Sequence, residues 1–258
     1  MFFTFKILFM KQHYIYLLFL CFWLTSCQTL KMAEQNPDKQ AALYEQAIVN
    51  SMSPSSKKVA DNLVVIDKNN KDLIWKNIDG EDYILAVTWK QNVSYYEAYL
   101  DSAHYNTGNY PIWITTAPEL HRKMNEKPYK DVDLRLKQLL GLPPNAVYSY
   151  FVEFWVRPAD LFRPCPDKET NDATCDLYFP TEVDSSHISW INDNRISRYY
   201  QAELFSKYPW TQLGYTYDWY PKAKKHLGLS EFVIGTNKNI VVKGIYKTEE
   251  YLNGKVKP

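Results

Sequence analysis

The stretch VYSYFVEFWV, residues 147–156, decides the fold, because it is the strongest β-strand signal in the chain. Its residues are mostly tyrosine, phenylalanine, valine and tryptophan, which favour extended backbone, and none of them is glycine or proline. Arg157 and Pro158 follow directly and end the run, since proline cannot donate a hydrogen bond to a sheet. We therefore predict a strand from Val147 to Val156.

Further β segments lie on both sides of this strand. Turn residues at Asp67–Asp72 and Asp79–Gly80 separate three apolar runs, a pattern that predicts a meander. Towards the C-terminus, two apolar runs flank a five-residue loop that contains glycine, which predicts a hairpin. The predicted strands in these two regions are Leu63–Ile66, Leu73–Trp75, Tyr83–Trp89, Phe232–Ile234 and Ile240–Val242.

Helical patterns occupy the middle of the chain. Thr116 and Glu119 have the spacing of a capping box, and Gly141 can take the left-handed position that ends a helix. The predicted helices are Asp38–Val49, Ala117–Glu126, Asp131–Leu140 and Ile188–Leu204. Because strands and helices do not alternate regularly, we predict an α+β domain: a mostly antiparallel sheet with helices packed on one side.

The first residues have the pattern of a secretory signal. Met1–Ser26 contains two lysines and no acidic residue, and its apolar run Tyr14–Leu24 is too short to span a bilayer. Leu24-Thr25-Ser26-Cys27 resembles the lipobox of bacterial lipoproteins, which implies cleavage before Cys27 and a diacylglycerol on its sulfur. An ordinary cleaved signal with an incidental cysteine and a membrane-anchoring helix are the alternatives, and Met10 is an alternative start.

This resemblance sets the predicted organisation and location. Residues 1–26 form the signal peptide, residues 27–58 a tether with a short helix, and residues 59–258 one globular domain. Gln28 stands where many inner-membrane lipoproteins have aspartate, which favours the outer membrane. The lipid anchor makes the membrane one partner. A glycan or an envelope protein is the other. The nearly balanced charge, 30 basic against 29 acidic residues, gives no footprint for nucleic acid.

The four cysteines have different predicted fates. Cys21 leaves with the signal, Cys27 takes the lipid, and Cys165 and Cys175 form a disulfide in an oxidising compartment. A metal site at this pair would need further ligands, and the loop between the two cysteines has no histidine or third cysteine. We predict no metal and no cofactor.

Aromatic residues are concentrated in YPWTQLGYTYDWYP, residues 208–221. On a strand, Tyr215, Tyr217 and Trp219 would share one face, and aromatic rings of this kind stack on sugar faces. A neighbouring carboxylate can accept hydrogen bonds from sugar hydroxyls. The candidate ligand-binding residues are therefore Trp210, Tyr215, Tyr217, Asp218 and Trp219. The alternative is that these side chains form an aromatic core.

Three residues are candidates for catalysis: Glu153 between aromatic residues, His187, and Glu231. Ser230–Ile234 resembles the late catalytic-glutamate strand of ADP-ribosyltransferases, which implies Glu231 as the acid, although Leu229 stands where that family has a polar residue. An enzyme, hydrolase or ADP-ribosyltransferase-like, using Glu231 or Glu153 with His187 is the alternative to a non-catalytic binding protein. A purely structural envelope protein is the third hypothesis.

Overall fold

The computed structural model describes residues 36–100, 104–126, 128–200 and 207–254. The predictions on the signal peptide and on Cys27 lie outside these residues. The chain divides into two units, Met1–Leu43 and Tyr44–Pro258, and the second contains every strand described below.

The strands of this second unit are β1 Trp75–Ile78, β2 Glu81–Lys90, β3 His104–Asn106, β4 Ile112–Thr116, β5 Tyr150–Val156, β6 Leu161–Phe162, β7 Tyr215–Tyr217, β8 Leu227–Ser230, β9 Phe232–Ile234 and β10 Asn239–Lys247. Eight of them form a central antiparallel sheet in the order β3-β10-β5-β2-β4-β9-β6, and β1 pairs with the first residues of β2. A separate two-stranded sheet joins β7 to β8.

Of the predicted strand Val147–Val156, residues Tyr150–Val156 form β5, which lies between β10 and β2 and is buried along almost its whole length, and residues 147–149 lie outside the strand. The helices are α1 Pro37–Ser51, α2 Ser94–Glu97, α3 Ala117–Asn125, α4 Val132–Leu139, α5 Ser185–Tyr199 and α6 Thr248–Leu252. Leu120 of α3, Leu136 of α4 and Tyr251 of α6 pack in one core cluster on one face of the sheet. The prediction of an α+β domain with a mostly antiparallel sheet is confirmed.

Helix α4 ends as its sequence predicts. Gly141 has φ +64°, its N–H donates to the Gln138 carbonyl at 3.3 Å, and the Leu142 N–H donates to the Lys137 carbonyl at 2.8 Å. This pair of bonds is a Schellman motif, and it turns the chain sharply after the helix. A Cβ at Gly141 would lie 3.3 Å from the Tyr217 carbonyl oxygen, so the turn also brings the backbone close to β7.

The capping box predicted at α3 is not formed. The Thr116 side chain makes no cap bond, and Glu119 accepts hydrogen bonds from the Ser230 N–H at 3.1 Å and from the Thr115 hydroxyl at 3.2 Å. The carboxylate therefore joins α3 to β8, and a long-range partner has replaced the local one.

The disulfide between Cys165 and Cys175 is present. The loop that it closes receives the segment predicted as the strand Leu63–Ile66: the Leu63 N–H donates to the Ala173 carbonyl at 3.0 Å, and the Ile66 N–H to the Thr170 carbonyl at 2.7 Å. The predicted strand is wrong, because this segment pairs with an irregular loop rather than with a strand.

No helix within the described part of the chain combines the length and the apolar content that a membrane span requires.

Candidate functional site

A cavity of about 300 Å³ lies where the ends of β2 and β4 approach the aromatic segment that begins at Tyr208. Its wall is largely aromatic, and three charged residues, Lys90, Arg198 and Glu231, also line it. The aromatic lining residues are Trp89, Trp113, Tyr148, Phe151, Tyr208, Trp210 and Tyr217. An apolar concave wall with a few polar groups is the usual character of a small-molecule site.

Arg198 enters the cavity wall from the last turn of α5. Its guanidinium carbon lies 4.5 Å from the ring centroid of Trp113 and 4.9 Å from that of Tyr208, so the cation is held over two aromatic faces. Burial lowers the pKa of Arg198 from its ordinary value, and its buried Nε has no hydrogen-bond acceptor in the part of the chain that the structure describes. Among the described residues, no carboxylate forms an ion pair with it.

Glu231 reaches the same cavity from the junction between β8 and β9, where its N–H donates to the Gly214 carbonyl at 2.8 Å. Burial raises the pKa of Glu231 to about 7, and the attraction of Arg198 opposes this only in part. In the described part of the chain the two groups form no ion pair. The two charges therefore attract each other electrostatically without forming an ion pair.

Three further polar groups belong to the wall. Burial raises the pKa of Tyr148 to about 12, and the neighbouring Tyr208 adds to this rise. Trp210 is almost fully buried and lies edge-on to Trp113 at 6.0 Å between ring centroids, and no described residue supplies an acceptor for its indole Nε1. Lys90 lines the cavity at the end of β2, and burial lowers the pKa of this lysine as well.

The predicted aromatic ligand-binding residues divide into two groups. Trp210 and Tyr217 line the cavity. Tyr215 is buried elsewhere, and its hydroxyl donates to the Lys58 carbonyl at 2.8 Å. Trp219 is 2 % exposed, and its Nε1 donates to the Lys137 and Leu142 carbonyls at 3.1 Å. Tyr215 and Trp219 are thus core residues whose polar atoms are already bonded within the protein.

Asp218, also a predicted ligand residue, is bound by the protein itself. Its two carboxylate oxygens accept hydrogen bonds from Nη1 and Nη2 of Arg135 at 2.8 and 2.6 Å, and both residues are buried. A bidentate pair of this kind is strong, and because Asp218 is 2 % exposed it holds the carboxylate away from any sugar hydroxyl.

The three catalytic candidates do not come together. The carboxylate of Glu153 lies in the core, where it accepts the Tyr251 hydroxyl at 2.9 Å and pairs with Lys243 at 2.8 Å. The imidazole Nε2 of His187 lies 2.8 Å from the Cys165 carbonyl oxygen. Neither residue lines the cavity, so Glu231 is the one candidate of the three that the fold brings to it.

The sequence did not point to Arg198, Trp113 or Tyr148. Trp190 and Arg198 are eight residues apart on α5 and so share a helix face, which is the only local signal. Trp190 packs against Trp113 at 5.6 Å between ring centroids, and Arg198 lies over the same ring. The site depends on this approach of α5 to β4, which no short-range pattern encodes.

A second group of ligand-type side chains consists of Cys165, Asp167 and Cys175, the one cluster of its kind among the described residues. Both of its sulfurs are joined in the disulfide. Thiolates are the form of cysteine that binds metals, so the oxidised pair offers none.

Comparison with known protein families, with curated proteins and with solved structures finds no match for this chain.

Proposed function

We propose that this protein is an outer-membrane lipoprotein whose globular part binds a glycan unit in the aromatic cavity without catalysing a reaction. The observation that carries the proposal is the wall itself, in which tryptophan and tyrosine rings surround three charged groups, Lys90, Arg198 and Glu231, that lack ion-pair partners in the described chain. Rings supply a flat surface for a sugar, and charged groups supply strong hydrogen bonds to its substituents.

The composition of the wall favours binding over hydrolysis. Among the described residues that line the cavity, Glu231 is the only carboxylic acid, and Glu153 and His187 have other partners. Glycoside hydrolysis by the common mechanisms uses two carboxyl groups on opposite sides of the scissile bond. A single acid suits a binding site that recognises a hydroxyl group.

A glycan array tests the binding. We expect the full-length protein to bind a subset of glycans and Tyr208→Ala to lose that binding, because Tyr208 lines the cavity and supports Arg198. Tyr178→Ala is the matched control, since Tyr178 is highly exposed and outside the cavity lining. Equal binding by all three proteins would contradict the proposal.

The anchor is a separate part of the proposal and rests on the sequence of Leu24–Cys27. One acyl chain binds a membrane only marginally, whereas lipoproteins of this class carry two or three chains on the cysteine. We expect radiolabelled palmitate to enter the wild-type protein but not the Cys27→Ser variant, and membrane fractions to contain only the former. An unlabelled wild-type protein would remove the anchor and leave the cavity proposal intact.

An enzyme remains the second candidate, because the pKa of Glu231 near 7 is suited to proton transfer at neutral pH. In this version the protein is a hydrolase or an ADP-ribosyltransferase-like enzyme. Glu231 acts as its acid or base, and Glu153 and His187 take no part. Release of reducing sugar from a bound glycan, or consumption of NAD, by the wild type but not by Glu231→Gln would replace the binding proposal with this one.

A further inference from the structure

The polar groups left without partners in the cavity wall are hydrogen-bond donors. The Nε of Arg198 and the Nε1 of Trp210 are both buried, and neither has an acceptor among the described residues. Leaving a buried donor without an acceptor destabilises a protein, and more so when the donor is charged. A ligand that presents acceptor oxygens, above all an anionic group, would satisfy both atoms.

The same fold contains an arginine whose acceptor is already supplied. Arg135 lies over the rings of Tyr129 and Tyr220 at 5.4 and 5.3 Å, and Asp218 binds its two terminal nitrogens. Among the described residues, Arg198 has the equivalent aromatic support but no carboxylate. A planar carboxylate of the kind that binds Nη1 and Nη2 of Arg135, whose Nε stays without an acceptor, is therefore the group that Arg198 lacks.

Glu231 adds a second requirement. Glu231 lines the cavity, has no ion-pair partner among the described residues, and attracts Arg198 electrostatically. A ligand that contacts both residues needs an acceptor for Arg198 and a hydroxyl donor for Glu231. A sugar ring with a carboxylate substituent meets both conditions and suits the aromatic wall and a volume of about 300 Å³.

We propose that the cavity recognises a uronic acid unit, with the sugar carboxylate bound by Arg198 and a ring hydroxyl donating to Glu231. The inference rests on the proposed glycan-binding function and adds the chemical class of the sugar. Trp210 supplies a further N–H to the bound oxygens, and the surrounding rings cover the faces of the sugar.

A titration of the full-length protein in detergent with four small ligands tests the role of the charge. The ligands are glucuronate, galacturonate, methyl glucuronate ester and glucose. We expect at least one of the two acids to bind about 10- to 100-fold more tightly than the ester and glucose, because a charge-assisted hydrogen bond is worth about 1.5–3 kcal/mol. The ester has nearly the same shape as glucuronate, so this comparison requires no mutation.

Variants assign the preference to Arg198. Arg198→Met is expected to bind acid and ester equally, and Arg198→Lys to keep part of the preference because it keeps the charge. Arg122→Met is the matched control, since Arg122 is largely exposed, pairs with Asp72 and lies outside this cavity. Binding of the ester by each variant shows that its cavity is intact.

The outcomes separate the two proposals. If the ester or glucose binds as tightly as both acids, or if Arg198→Met keeps the preference for the acid, the uronic acid assignment is wrong while glycan binding stands. If none of the sugars binds and the glycan array is also empty, both proposals fail. Glucose 6-sulfate serves as a fifth ligand in the same titration. If it binds more tightly than both acids, the carboxylate assignment is wrong.

Discussion

Two arginine sites in this molecule have similar aromatic surroundings and opposite outcomes. Arg135 of α4 is buried, Arg198 of α5 is partly buried, and each guanidinium lies over two aromatic rings. The rings are those of Tyr129 and Tyr220 at the first site and those of Trp113 and Tyr208 at the second. Both sites are thus equally prepared to hold a planar anion.

The sites differ in whether the chain supplies that anion. Burial acts to lower the pKa of Arg135, but the hydrogen bonds and charge of Asp218 outweigh it and raise the pKa above its ordinary value. Burial lowers the pKa of Arg198, and the distant Glu231 does not reverse this. We call the Arg135 site completed, because Asp218 pairs with it, and the Arg198 site open, because no described carboxylate does. A third arginine, Arg163, donates from Nη2 to the backbone carbonyls of Val64 and Asp172, and its Nε and Nη1 have no acceptor among the described residues.

Breaking the completed site should have the largest effect. Asp218→Ala leaves the Arg135 charge buried without a partner, so we expect the free energy of unfolding to fall by about 3–5 kcal/mol in urea denaturation. Asp61→Ala, at an exposed aspartate, is the control and should stay within about 0.5 kcal/mol of the wild type. Similar losses in both variants would show that the Arg135–Asp218 pair does not stabilise the fold.

Removing the disulfide tests the arginine that depends on backbone carbonyls. The bond closes the loop that carries Asp172, whose carbonyl accepts from Arg163. We expect the Cys165→Ala/Cys175→Ala variant to lose about 2–3 kcal/mol of unfolding free energy, because the unfolded chain gains freedom. Dithiothreitol should bring the wild type to the level of this variant, and it should leave the variant itself unchanged. A reductant-insensitive wild type would contradict the prediction.

The open site should respond to pH through Glu231. Its carboxyl has a pKa of about 7 in the folded protein against an ordinary value of 4.5, so the unfolded chain loses this proton first as the pH rises. Relative to Glu231→Gln, wild-type stability should therefore fall between pH 4.5 and about 7 and stay level above. We expect a change of about 1–2 kcal/mol after allowance for solvent screening. A difference that rises with pH would contradict the burial of this acid.

Removing the open arginine should have the smallest effect on stability. Arg198→Met takes away an unpaired enclosed charge and keeps an apolar side chain, so we expect unfolding free energy to change by less than about 1 kcal/mol. The variant should also move the upper end of the pH window above that of the wild type, because Arg198 lowers the pKa of Glu231. A loss comparable to that of Asp218→Ala would show that both arginines serve the fold alike.

Local signals in the sequence predicted much of the architecture. The run that became β5, the glycine that ends α4 and the cysteine pair each depend on nearby residues, so their structures could be read from short windows. The strand predicted at Leu63–Ile66 was wrong. Its apolar residues suggest a strand, but its hydrogen-bond partners lie in a loop more than 100 positions later in the chain.

The site was predicted only in part. The concentration of aromatic residues at 208–221 pointed to Trp210 and Tyr217, and Glu231 was identified as a candidate acid, and all three line the cavity. Arg198 could not be found in this way, since an arginine near a helix end is common and its meaning arises only when α5 packs against Trp113. Asp218 was predicted as a ligand residue but does not belong to the site, because nothing near it in sequence indicates that Arg135 would bind it.

The position of β10 has a consequence for how the chain matures. This strand is formed from residues 239–247, yet it lies between β3 and β5, so one side of the sheet waits for one of the last described segments. Contacts between such distant parts of a chain slow folding, because a long loop must close before they form. The ribosome must therefore have synthesised β10 before this side of the sheet can form.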